Sequence, residues 1–351
     1  MKVLFITRKV DRNDAMAGFT YGWIRELASQ VKELHVMCLE MGNTTGLPTN
    51  CHVYSLGKER GKNRWREFWC FQTLAARIVS QVDAVIGHQN PEYTLLVAPW
   101  CKLHRTLLTA WYVHKAVTWK TRLLVRLADI IFTASKESFR LPSSKVVVLH
   151  HGIDTNKFSF RPKPSSDCVI MSSVSRLSPS KRIEQIIDIA VVVHKQCKKP
   201  VELRIYGDSI LSKEKKYVES LRTYIANQRA EDYISLRGQI AHRDLPEALY
   251  ESDIMLNYSQ TGSLDKAVLE AMACGTIVVT NNEAFYSFFG NIGIDLYVDN
   301  KDAFVQKVLE IISINDRLRI QTELRNQIVR NHNLEDLISQ IISRVEEFKK
   351  Y

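Results

Sequence analysis

The sequence predicts an α/β protein of two parallel-sheet domains with helices on both faces of each sheet. Short apolar runs rich in Val, Ile and Leu alternate along the whole chain with helix-length amphipathic segments, the pattern of strand–helix–strand units. At 351 residues the chain is long enough for two cores of ordinary domain size. Between the two stretches of alternation lies FRPKPSSD, whose Pro and Ser content marks a linker. The domains are expected over residues 1–157 and 158–332, with a closing helix over 333–351.

In the first half the apolar runs predict strands near 2–7, 35–38, 53–55, 84–87, 106–110, 130–133 and 146–149. Helices are expected near 18–30, 65–81, 91–104, 116–127 and 136–140. The loop after the first strand, RKVDRNDAMAGFTYG, is polar and carries Gly18. His88, in VIGHQNPEY, and His114, in LLTAWYVHK, each follow a buried-strand run. Each imidazole is therefore expected at a strand's carboxyl end, where open α/β sheets bind ligands. A lone histidine is more often structural; two at such positions point to a site.

The second half restarts with a strand near 169–173, followed by SRLSPSKRIEQIIDIA. Ser178 is placed to cap a helix with Pro179 at its first position, and Ile183, Ile186, Ile187 and Ala190 form the buried face. Arg176 precedes this helix and Lys181 falls in its first turn. A helix start favours anions, so two cations there imply a polyanion held jointly by them and the helix. Strands near 201–206 and 233–236 end at Gly207 and just before Gly238. Residues 254–279, IMLNYSQTGSLDKAVLEAMACGTIVV, then read as strand, polar loop, helix and strand. Ser263 is the expected N-cap, Ala267, Val268, Ala271 and Met272 the apolar face, and Gly275 the stop, since a residue tolerating positive φ is preferred just past a helix. Glu270 on this helix is placed to reach neutral hydroxyls beside bound phosphates. Asp265 in the first turn caps the helix or bonds a sugar hydroxyl, because like charges keep it from phosphate. A strand near 295–298 and helices near 301–314, 316–331 and 333–350 complete the chain.

Hydrophobic content of 45% and charged content of 25% are those of a globular protein. No apolar run is long enough to span a bilayer, and the four-residue run in MKVLFITRKV is too short for a signal peptide core. The expected location is the cytoplasm or a cytoplasm-facing surface. The seven cysteines are scattered without metal-ligand spacing and read as reduced thiols. A net charge of +10 asks for an acidic partner: a nucleotide diphosphate, an anionic lipid or nucleic acid. No zinc-finger, helix-turn-helix or RNP-type pattern supports nucleic acid. Residues 58–71, KERGKNRWREFWCF, set Trp65, Phe68 and Trp69 on one helical stripe with Lys58, Arg60, Lys62, Arg64 and Arg66 around it. That is the pattern of an interfacial element on an anionic membrane. A core-facing helix with a solvated charged side gives the same spacing.

The segment LEAMACG, with Glu270 as its acid, resembles the signature of retaining GT-B glycosyltransferases of the glycosyltransferase family 4 type. In that family a first acid stands eight residues before the second; here the place holds Gly262. LHHGIDTNKF resembles the family's Asn-Gly-Ile-Asp element, with His151 replacing Asn. The resemblance covers most of the chain and is strongest from Arg176 to Gly275. It implies two Rossmann-like domains facing a cleft, with the last helix returning to the first domain. It also implies a retaining, metal-independent transferase acting on a nucleotide-diphosphate sugar, with no cofactor. No Asp-x-Asp loop is present. By the same resemblance Arg176 and Lys181 grip the donor diphosphate, His114 lies beside the transferred sugar, and His88 is on the acceptor side. Gly18 and Gly207 approach the donor, and Gly238, Gln239 and Ile240 wrap the base. The loop Gly262, Ser263, Leu264, Asp265 and Lys266 supplies polar contacts in place of the missing acid. The acceptor would be a glycan or a lipid-linked or membrane-borne molecule. Two rivals remain: a sugar-nucleotide 2-epimerase on the same fold, and a degenerate binder that lost transfer with the first acid.

Overall fold

The computed structural model describes residues 1–163, 166–209, 215–259 and 264–349, without the side chains of Asn291 and Ile292. The chain divides into two compact units, Met1–Asp154 with His332–Tyr351, and Thr155–Asn331.

The first unit holds strands β1 (Lys2–Val10), β2 (Glu33–Met41), β3 (Cys51–Ser55), β4 (Ala84–His88), β5 (Leu107–Trp111), β6 (Ile130–Thr133) and β7 (Val146–Val148). Its helices are α1 (Gly18–Gln30), α2 (Arg64–Ile78), α3 (Pro91–His104) and α4 (Trp119–Leu127). All strand pairs are parallel, in the order β3-β2-β1-β4-β5-β6-β7. Because successive side chains of a strand point to opposite faces, β1 feeds two cores at once. Val3 and Phe5 pack with Trp23, Ile24 and Leu27 of α1, whereas Leu4 and Ile6 pack with Phe71, Ala75 and Ile78 of α2.

The second unit holds β8 (Val169–Val174), β9 (Val201–Tyr206), β10 (Ile234–Gly238), β11 (Ile254–Asn257) and β12 (Ile277–Thr280). These are also parallel, in the order β10-β9-β8-β11-β12. Its helices are α5 (Ile183–Gln196), α6 (Lys215–Asn227), α7 (Leu245–Glu251), α8 (Lys266–Ala273), α9 (Tyr286–Ile292), α10 (Lys301–Ser313) and α11 (Arg317–Asn331). The last helix, α12 (Leu334–Lys349), belongs to the first unit. Its Leu334, Leu337, Ile338, Ile341 and Val345 recur at helical spacing and close the core over α1. Gly152 makes this approach possible: a Cβ there would lie 2.6 Å from Leu334 and 2.8 Å from Leu337 side-chain atoms.

Several expected elements are corrected. No helix forms over 136–140, where Ser135 and Ser138 bond each other side chain to side chain in a turn. The helix expected from 116 starts at Trp119, because Thr118 and Thr121 form a reciprocal capping box. Residues 295–298 make a single parallel bridge, Tyr297 to Thr280, and not a strand. The helix expected from Ser178 begins at Ile183. Pro179–Lys181 form one tight turn, and Arg182, at φ +44, interrupts the helix in the left-handed region. Lys181 therefore precedes the helix and is not in its first turn. Trp65 and Trp69 are 74% and 64% exposed, so they are not core residues; α2 buries Phe71, Ala75 and Ile78 instead. Among the described residues no helix is long and apolar enough to cross a membrane.

Candidate active site

In the second sheet the strand order reverses between β8 and β11, and ligands of open α/β sheets bind at the carboxyl ends of such strands. The chain leaving β8 runs alongside the ends of β9 and β10. Ser175 donates its amide to Tyr206 and Leu177 to Asp208, while Gly207 donates to Gly238. Gly207 has to be glycine: at φ +145 a Cβ would sit 1.8 Å from the Ser175 carbonyl oxygen. Leu177 is buried and anchors the loop, leaving Arg176 exposed. Among the described residues the Arg176 guanidinium makes no ion pair.

Two residues past the anchor, the turn at Pro179 aims Lys181 at the end of β11. Its Nζ lies 2.7 Å from Asp265 Oδ1 and donates to Ser259 Oγ at 3.1 Å. Asp265 Oδ2 accepts from Asn257 Nδ2 at 3.1 Å, and Asn257 Oδ1 accepts from Thr280 Oγ1 at 2.7 Å. Asp265 occupies the N-cap position of α8 without a side-chain capping bond, because its carboxylate is engaged by Lys181 and Asn257. Lys266 opens α8 and Leu264 is half-buried. Gly262 and Ser263, including the expected N-cap, lie outside the described residues. Gly275 does end α8, at φ +83, and a Cβ there would strike the Phe160 ring at 2.2 Å.

Glu270 is neither solvated nor paired with Lys181. Five residues along a helix place it about 140° around α8 from Asp265. It is 4% exposed, and its Oε1 accepts from His242 Nε2 at 2.9 Å. Lys157 Nζ lies 2.5 Å from His242 Nδ1. An ammonium only donates, so Nδ1 accepts and Nε2 carries the proton given to Glu270. Burial pushes the Glu270 carboxyl up, the largest single effect, but contact with His242 and the charges of Lys266 and Lys157 outweigh it and hold its pKa below the ordinary value. At the other end of α8, Arg325 of α11 donates to the carbonyls of Ala273 (2.8 Å), Phe158 (2.5 Å) and Thr155 (2.9 Å).

Sequence reading missed His242, Lys157, Asn257, Ser259 and Arg325. Lys157 lies within LHHGIDTNKF, Asn257 and Ser259 within residues 254–279, and His242 two residues beyond the Gly238–Ile240 stretch, so all but Arg325 stood in or beside a segment already singled out. Gly238 has φ +73 with open space where a Cβ would be, Gln239 is exposed and Ile240 half-buried.

In the first unit, Gly18 is the buried first residue of α1. His114 lies three residues beyond β5, is exposed, and its Nδ1 accepts from the Ala116 amide at 3.0 Å. His88 corrects the expectation of a ligand-facing imidazole. It ends β4 as predicted, yet it is 1% exposed, packed among Phe5, Phe19 and Trp23, with Nδ1 3.2 Å from Thr7 Oγ1. The aromatic layer under α1 encloses it.

Residues 154–333 match the model of the family "Glycosyl transferases group 1". HepE from Anabaena, solved in complex with UDP and glucose, is similar in structure with a TM-score of 0.76 at 17% identity, covering 99% of each chain. A glycosyltransferase from Rickettsia africae gives 0.75 at 17%, covering 99% of this chain and 98% of that one. The sucrose-phosphate synthase of Thermosynechococcus elongatus gives 0.70 at 14%, covering 100% and 99%. In sequence, the mannosylfructose-phosphate synthase of Agrobacterium fabrum is 22% identical over 153 residues, which are 41% of this chain and 34% of that protein. The family match extends over half of the chain, the GT-B fold is that of these structures throughout, and the chain belongs to the group 1 glycosyltransferases.

Proposed function

We propose that the chain is a retaining, metal-independent transferase. It takes the sugar of a nucleotide-diphosphate donor held by the second unit and passes it to a hydroxyl of a glycan or of a lipid-linked acceptor. The observation that carries this reading is the pair of cations Arg176 and Lys181 on the loop leaving β8, beside the order reversal of the second sheet. Breaking the bond from the anomeric carbon to the diphosphate oxygen leaves positive charge on the sugar and negative charge on the leaving group. The acceptor oxygen makes the new bond and loses its proton. Preorganised cations stabilise the developing diphosphate, the role a divalent metal takes elsewhere. Lys181 is salt-bridged to Asp265, so an incoming diphosphate competes with that carboxylate for the ammonium. Gly238, with no side chain and open space beside it, gives Gln239 and Ile240 room to meet the base. Glu270, whose Oε1 is taken by His242, has Oε2 left to accept from a donor hydroxyl. Exposed His114 is assigned to the sugar side of the first unit. UDP-sugars are the donors to try first, since HepE was solved with UDP.

Titration calorimetry with UDP tests the reading. Arg176→Ala and Lys181→Ala are each expected to weaken binding by about 1.5–3 kcal/mol, the range of charge-assisted hydrogen bonds. Turnover is expected to survive EDTA. Unchanged affinity in both variants, or turnover lost in chelator and restored by Mg²⁺, overturns the corresponding part. One observation favours a second reading, a sugar-nucleotide binder without transfer: Gly262 stands where the family carries its first acid. Donor consumed with acceptor, or hydrolysed without it, rules that reading out; UDP binding without turnover supports it.

A further inference from the structure

Helices α2, α3 and α4 each follow a parallel strand, so their amino ends lie at the carboxyl edge of the first sheet. They are also laterally joined. Trp100 Nε1 of α3 donates to Gln72 of α2 at 2.7 Å, and Lys120 of α4 pairs with Glu92 of α3 at 2.5 Å. At this one edge stand Trp65 and Trp69, a helical turn apart on α2, and Trp119, the first residue of α4. These are half of the chain's six tryptophans, and they are 74%, 64% and 68% exposed. Phe68 stands edge-on to Trp69 and the Lys120 ammonium lies over Trp119, yet all three indoles at the starts of α2 and α4 remain mostly in water, and indole prefers the headgroup level of a bilayer.

The surrounding charge is one-sided. Lys58, Arg60, Arg64 and Arg66 are exposed around the start of α2, and Lys115 and Arg122 around the start of α4. Of the acids nearby, Glu59 is engaged with Ser55 and Arg60 and Glu92 with Lys120, which leaves half-buried Glu67 in the first turn of α2 as one acid among the six exposed bases. Sequence spacing alone found only the α2 half of this surface. The fold adds Trp119, some fifty residues away in the chain, and settles that Trp65 and Trp69 face outward.

We propose that this edge of the first unit docks on an anionic phospholipid bilayer, with the three indoles at headgroup depth and the basic side chains on lipid phosphates. Tryptophans carried on the outward stripe of helix starts, flanked by cations, match an interface plane. The sequence carries no zinc-finger, helix-turn-helix or RNP-type pattern that would favour a nucleic acid there instead. The inference does not depend on the donor reading, and UDP calorimetry can fail while vesicle binding stands.

The test is co-sedimentation of the full chain with vesicles of phosphatidylcholine alone or mixed with phosphatidylglycerol. The wild type is expected to prefer the anionic vesicles, less so as salt rises and screening shortens the electrostatic reach to about 8 Å or below. Arg64→Gln/Arg66→Gln/Lys115→Gln is expected to lose roughly a hundredfold in partitioning. Trp65→Ser/Trp69→Ser/Trp119→Ser is expected to lose at least about tenfold, with an unchanged melting temperature because the indoles are exposed. No preference for anionic vesicles overturns the proposal. So does a tryptophan variant that binds as well as wild type, and so does a single-stranded oligonucleotide bound where vesicles are not.

Discussion

His242→Ala is expected to destabilise the second unit by about 3–5 kcal/mol, the penalty for removing one partner from a buried charged network. The imidazole bridges Lys157 and Glu270, and its loss leaves a nearly inaccessible carboxylate without its nearest donor. Differential scanning calorimetry reads this directly, and a shift no larger than that of a surface control removes the network from the stability of the unit. Glu270→Gln separates charge from hydrogen bonding, and pH makes the separation visible. The folded-state pKa of Glu270 lies below its ordinary value, so the unfolded chain takes up the proton first as pH falls. The carboxylate's contribution is therefore complete above the ordinary range near 4.3 and disappears as pH drops through the lower folded value. Melting temperatures followed from about pH 7 to pH 3 should fall more steeply for wild type than for Glu270→Gln. Parallel curves would show that this carboxylate carries no such linkage.

Arg325→Ala is expected to cost about 3 kcal/mol or more. Its guanidinium ties together the carbonyls of Thr155 and Phe158, at the start of the second unit, and that of Ala273, at the end of α8. Each carbonyl that loses a donor in a partly buried setting costs about 1 kcal/mol or more, and the carboxyl-terminal pole of α8 loses a compensating cation as well. For a unit of this size the melting transition should drop by roughly 6–12 °C. Arg325→Lys keeps the charge but cannot fork to three oxygens, so it should recover only part of the loss. Full recovery by lysine would mean that charge alone matters there.

Much of the fold was legible because buried parallel strands write themselves as unbroken Val, Ile and Leu runs, as at Ile254–Leu256 and Ile277–Val279. Boundaries were less legible where local chemistry competes with helix formation. Thr118 with Thr121 moved one helix start, and left-handed Arg182 moved another, taking Lys181 out of the helix it was assigned to. For the site, residue types that meet phosphate were readable, as Arg176 and Lys181 illustrate. Their partners were not. Lys181 meets Asp265 across 84 positions of chain and Glu270 meets His242 across 28, so proximity follows from sheet order and not from spacing. His88 shows the converse: its place at a strand end was right, but only the packing of Trp23 and Phe19 over it reveals that it is enclosed.

The return of α12 to the first unit has a consequence for how the protein is made. The first unit is assembled from two segments, Met1–Asp154 and His332–Tyr351, while the second is the single segment between them. Domains generally fold in the order in which they leave the ribosome. Here the second unit is fully synthesised first, and Trp23, Ile24 and Leu27 wait uncovered until Leu334–Val345 emerge. A released chain truncated after Asn331 should therefore carry a protease-resistant second unit beside a first unit that is still cleavable at α1 and prone to stick to chaperones or to other copies of itself. Equal resistance of both units in such a chain would mean that α1 finds cover without the last helix.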